Sequence, residues 1–173
     1  MIAPGAPGEP AKTLSAEEAE KARPDNTPNS ADFAYARMMI VHHGQALEMT
    51  DLVQKRADSD AVKRLSARIA AAQKPEIGAM EGWLESNGGA KEENGHQHGT
   101  MPGMATEAQL TRLRAAKGTA FDELFLTLMI THHQGAVTMA TDAISDGRNV
   151  QIADMAKDVI AQQSIEMDRM RGM

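Results

Sequence analysis

The chain has 173 residues and a net charge of −6, which gives one domain room for a real core and offers nucleic acid no basic face. Thirteen methionines stand against five aromatic side chains, so Ala, Leu, Ile and Met must fill the core. Cysteine is absent, which excludes disulfides, thiolate metal sites and a cysteine nucleophile, and no apolar run is long enough to span a membrane.

From the N-terminus, Met1-Ile-Ala-Pro-Gly has neither the basic nor the apolar region of a signal peptide. Residues 3–10 read as a flexible tether of the kind that follows a removed leader or a lipid anchor. Residues 1–29 are therefore expected to be a tether with one short helix, opened by the capping box Ser15 to Glu18. A long helix is expected over 31–56, opened by Asn29, Ser30 and Asp32. Asp58, Ser59 and Asp60 break it and cap a second helix over 60–86, which Gly88 and Gly89 stop. A polar, glycine-rich linker follows over 87–105. Thr106 and Gln109 form a second capping box, opening a short helix that Gly118 ends. The third long helix begins near Thr119 and ends at Gly147, and Asn149 caps the last, which runs to the C-terminus. The alternation that marks strands is missing.

The chain is written twice. Residues 32–80 align without gaps on 122–170, matching Met39 with Met129, His42 with His132, His43 with His133, and Met49 with Met139. The match continues through Gln73 with Gln163, Glu76 with Glu166, and Met80 with Met170. Two helical hairpins with short turns predict an all-α, antiparallel four-helix bundle with short flanking helices. Residues 30–173 would form that single duplicated domain.

On a helical wheel Met39 and His43 fall on the apolar face, while Met38, His42 and Met49 lie along its edge. The second repeat places Met129, His132, His133 and Met139 likewise, with Leu128 where the first has Met38. On this phase His43 and His133 look inward, and His42 and His132 look to a groove open to solvent. Gln73 and Glu76 share the partner helix's apolar face with Met80, as Gln163 and Glu166 do on the last helix with Met170. Buried imidazole, amide and carboxylate groups need partners, so His43 is expected to meet Glu76, and His133 to meet Glu166. The linker adds His96, His98, Met101 and Met104 in a segment too rich in glycine to bury them as core. Imidazole with thioether suits Cu(I) or Ag(I), whereas histidine alone would serve Zn²⁺ or Ni²⁺. No Glu lies three residues before any of the four helix histidines, which sets a di-iron oxidase aside, and the chain is not read as an enzyme.

Met39-Ile-Val-His-His43 followed by Gln45, Ala46 and Met49 resembles the DUF305 family, a domain of unknown function. So do Met129-Ile-Thr-His-His133 with Gly135-Ala-Val and Met139, and the spacing of Gln73, Glu76, Ile77, Met80, Trp83 and Leu84. The chain departs from the family at Val41 and Thr131, where members often carry Pro, and its last hairpin lacks the Trp-Leu ending. The resemblance covers nearly all of 30–173. It implies a ferritin-like bundle, usually exported (periplasmic, secreted or lipid-anchored), that binds copper or silver through Met and His. Copper tolerance, sequestration or delivery would follow, Cu(I) being preferred and Cu(II) or Ag(I) also accommodated. Metal ions and a copper-delivery or efflux protein would be the partners. The alternative is a structural or partner-binding bundle in which His and Glu only specify the core.

Overall fold

A computed structural model describes residues 2–3, 8, 10–21, 25–89 and 101–173. The long helices fall where the capping residues put them. Asn29 opens α2 (Ser30–Arg56), its side chain taking the N–H groups of Ala31 and Asp32, and Ser59 opens α3 (Asp60–Ser86). Thr106 and Gln109 close a reciprocal box at α4 (Glu107–Ala115), and Asn149 caps α6 (Val150–Arg171). Gly118 does not stop α4; it opens α5 (Thr119–Asp146) at φ +61, a left-handed conformation suited to glycine. Its N–H donates to the Arg56 carbonyl at 2.8 Å. The short helix expected in the N-terminal segment is α1 (Ala16–Lys21), and the departure there is a two-residue antiparallel pair, β1 (Ile2–Ala3) with β2 (Lys12–Thr13).

Each hairpin packs on itself, α2 with α3 and α5 with α6, and the two join through α2 against α5. The duplication extends to the caps, which are exchanged between hairpins. Asp32, at the start of α2, accepts the N–H groups of Arg148 and Asn149 at the α5–α6 turn, each at 3.2 Å. Asp122, at the matching place in α5, accepts the Ser59 N–H at the α2–α3 turn at 2.8 Å. Gly147 makes room for the first of these, since a Cβ there would stand 2.5 Å from Asp32 Oδ1.

The core is two apolar clusters. One gathers Met39, Met80, Trp83, Met139 and Ile152; the other gathers Met49, Leu65, Phe125, Met129 and Met170. Every long helix crosses from one to the other, and every crossing is polar. His42 and His43 occupy it in α2, Gln73 in α3, His132 and His133 in α5, and Gln163 and Glu166 in α6, all buried.

The exchanged caps yield a stability test. Asp32 is fully buried and also takes the Asn29 N–H at 2.8 Å, whereas Asp122 holds one turn N–H. Asp32→Ala is expected to cost about 2–4 kcal/mol and Asp122→Ala about 1–2 kcal/mol. Urea denaturation of the metal-free protein measures both, and an equal or reversed order would contradict the assignment.

Candidate metal centre

The two histidines of each pair serve different neighbours. His43 Nε2 lies 2.6 Å from Glu76 Oε2 and His133 Nε2 lies 2.7 Å from Glu166 Oε2, so both inward dyads form within their own hairpins. His42 does not reach an open groove. It is fully buried with Met49, and its ring lies against that of His132, centroids 3.8 Å apart and planes tilted by 36°. The wheel placed these residues at an edge because it allowed the helix one contact face. The inner helices have two: α2 turns His43 towards α3 and, about 100° away, His42 towards α5.

Residues 101–105 form a strap across this junction. His42 Nε2 donates to the Pro102 carbonyl at 3.0 Å, and Gln45 brackets Ala105, donating to its carbonyl at 2.9 Å and accepting its N–H at 2.7 Å. The expectation that this segment is exposed fails for its last residues. Met101 is buried in the first cluster and Met104 packs against it, because Gly103 and Gly135 let the strap lie directly on α5. His96 and His98 lie outside the described residues. Met39, Met80, Met129, Met139 and Met170 are buried in the two clusters, while Met38 is half-buried beside the first. Among the described residues no three His, Asp or Glu side chains converge as a metal-ligand set.

The polar layer is incompletely paired. Nδ1 of His42, His43 and His133, both ring nitrogens of His132, and both amide atoms of Gln73 and Gln163 are buried without a hydrogen-bond partner. A carbonyl can only accept, so His42 carries its proton on Nε2 and presents a bare lone pair at Nδ1. Burial pushes His42 down to about 4, outweighing the Pro102 hydrogen bond, and the neighbouring His43 and His133 add to the effect. His132 is pushed well below its ordinary value by burial first and then by the imidazoles around it. Both rings are therefore neutral at pH 7, with free nitrogen lone pairs sealed between methionine-rich clusters. Tyr35, Gln45, Pro102, Gly103 and Gly135 also build this region but were not legible as site residues. The one sequence signal was that Gln45 and Gly135 occupy matching positions of the two repeats and differ.

The fold and this layer define a duplicated helical bundle with neutral nitrogen and thioether donors in its interior. The chain belongs to the DUF305 family, the domain of unknown function whose model matches residues 32–173. A candidate secreted DUF305 protein from Streptomyces coelicolor is 35% identical, with 82% of this chain and 90% of that chain covered and a TM-score of 0.74. A DUF305 fragment from Deinococcus radiodurans is 28% identical, covering 87% and 97%, with a TM-score of 0.76. CopM in its Cu(I)-bound form is 28% identical, covering 82% and 93%, with a TM-score of 0.68, and its Cu(II)- and silver-bound forms are similar. No curated protein matches the chain.

Two measurements test this layer. The Glu166 side chain is 6% exposed and that of Glu76 is 22%, so losing the histidine strands a more deeply buried carboxylate in the second dyad. His133→Ala is expected to cost about 3–4 kcal/mol and His43→Ala about 2–3 kcal/mol in thermal unfolding of the metal-free protein. For pH, the folded state holds His42 at about 4 against an ordinary 6.5, so between these values the unfolded chain binds the proton and the folded one does not. Stability is then present above 6.5 and falls as pH drops, by about 2 kcal/mol at pH 5 from His42 alone, with His132 adding in the same direction. The unfolding midpoint should fall accordingly, and fall less in His42→Leu; an equal fall in the two proteins would contradict the account.

Proposed function

We propose that this protein binds Cu(I), and Ag(I) in its place, outside the cytoplasm, and sequesters or hands on the ion. The observation that carries this is the His42–His132 pair, rings in contact, neutral and without partners for its remaining ring nitrogens, between clusters that hold buried thioethers. An unpaired buried polar atom costs about 1–3 kcal/mol, and a core of this composition could avoid that cost by using leucine. Uncharged nitrogen and sulfur donors match a soft monovalent ion and do little for Mg²⁺ or Ca²⁺. Similarity to CopM in its copper- and silver-bound forms supports the same reading, and a secreted candidate among the relatives supports the location. His96 and His98 of the linker extend the donor set, and a copper-delivery or efflux protein is the partner class this role requires.

A second reading, a structural or partner-binding bundle, draws on the His43–Glu76 and His133–Glu166 bonds, which fix helix register without metal. Anaerobic titration of the metal-free protein against a chromophoric Cu(I) chelator separates the two. Cu(I) should bind more tightly than Zn²⁺ or Ni²⁺ in parallel competitions. Zn²⁺ binding as tight as Cu(I), or no Cu(I) binding, would return the protein to the structural reading.

A further inference from the structure

α3 and α6 are the outer helices of the two hairpins and are not packed on one another. A groove of about 840 Å³ runs between them, with Met80, Met155 and Val159 in its apolar lining. On the α6 side Ile165 lines it at 53% exposure. The α3 side is made of small residues: Ala72, Pro75 and Ala79 line the groove, and Gly82 continues their face about one turn on. Gly78 and Gly82 serve no packing inside the chain, since a Cβ at either would meet nothing within 4 Å. Glycine inside a helix is less stable than alanine, so both positions weaken the isolated bundle and return nothing to it. The Tyr35 hydroxyl also lines the groove, in a side chain 2% exposed, and is buried without a hydrogen-bond partner.

The charges of the groove are sorted by end. Arg68 and Arg169 stand beside Ile69 and Met170, at the end of the second apolar cluster. Asp158 stands beside Val159, at the end of the first, where Tyr35 and Met80 also lie. Glu76 and Glu166 line the groove too, but they hold His43 and His133. Arg171 and Lys157 are paired with Asp168 and Asp154, whereas Arg68, Arg169 and Asp158 are exposed and have no ion-pair partner among the described residues. Asp158 and Arg169 are eleven residues apart on α6, about 16 Å, which exceeds the ~8 Å screening length at physiological salt. The two ends therefore present opposite charge separately.

We propose that the α3–α6 face is the interface of a two-fold dimer, in which a second copy of this chain lies across the groove. A face that is basic at one end and acidic at the other is its own complement. A two-fold axis crossing the groove sets the basic end of each copy on the acidic end of the other, whereas an axis along the groove would set like on like. The small residues of α3 let the second copy approach closely, and the exposed Ile165 gives each copy an apolar side chain to bury in the other. The pairing is independent of any bound metal.

The test is sedimentation equilibrium of the metal-free full chain over a wide concentration range, with thermal unfolding of each variant as the control for folding. The wild type should pass from monomer to dimer as concentration rises, and its unfolding midpoint should rise with it. Ala79→Leu and Gly82→Leu favour the helix, so neither should lower the midpoint of the dilute monomer, yet each should weaken the dimer by about tenfold or more. The decisive variants exchange charge. A chain with Arg68→Glu and Arg169→Glu is acidic at both ends, and a chain with Asp158→Lys is basic at both, so neither should pair with itself. Mixed with one chain labelled, the two should pair within about threefold of the wild-type affinity, because each end of one then meets its opposite on the other. A wild type that stays monomeric at every concentration overturns the proposal. So does a dimer that survives Ala79→Leu and Gly82→Leu unchanged, or charge-exchanged chains that pair no better mixed than alone.

Discussion

Four imidazoles cross the middle of an apolar core, and the rest of the bundle is arranged around that fact. Each long helix must bring its polar residues to the same level, because a shift of one turn would set an imidazole against hydrocarbon. The dyads His43–Glu76 and His133–Glu166 fix that level within each hairpin, and the His42–His132 contact fixes it between hairpins. Buried polar groups of this kind cost stability and return specificity of register, and the apolar clusters on either side carry the hydrophobic stabilisation. The exchanged Asp32 and Asp122 caps do for the ends of the bundle what the imidazoles do for its centre.

Duplication supplies the symmetry, and the chain uses the places where symmetry fails. Gln45 and Gly135 occupy matching positions, yet one grips Ala105 by its backbone and the other vanishes beneath Pro102. The strap lies across the seam between α2 and α5 and can do so only because one side offers a hydrogen-bonding arm and the other offers space. A second glycine would leave nothing to hold the strap, and a second glutamine would push it away.

How much of this was legible in the sequence follows from which interactions are local. Helix ends are set by Asn29, Ser59, Thr106 and Asn149 acting on the next few residues, and these were readable. The dyads were readable too, because a hairpin with a short turn leaves its two faces little freedom. The phase of His42 was not, because a wheel describes one helix and the second contact face of α2 exists only once α5 packs on it. The burial of Met101 escaped for the same reason. Its neighbours Pro102 and Gly103 suggested an exposed loop, and only the gap above Gly135 turns that loop into a wall. What the sequence did carry was the mismatch between repeats, at Met38 against Leu128 and at Gln45 against Gly135.

Neutrality is what allows donors to be buried in this way. A carboxylate or thiolate set in the same interior would suffer the full desolvation cost of its charges whenever the ion left, and the bundle would have to open or hydrate to survive. Thioethers carry no charge, and an imidazole held far below its ordinary pKa carries none at neutral pH. On the proposed reading the core can pack without the ion, with methionine contributing the same contacts as any other apolar residue. The His42–His132 junction thus holds no charge of its own, the carboxylates of the layer being kept on His43 and His133, and a single positive charge is the least that any metal brings. That asymmetry favours a monovalent soft cation over a divalent one before any coordination geometry is considered, and it follows from the burial of the donors and not from their number.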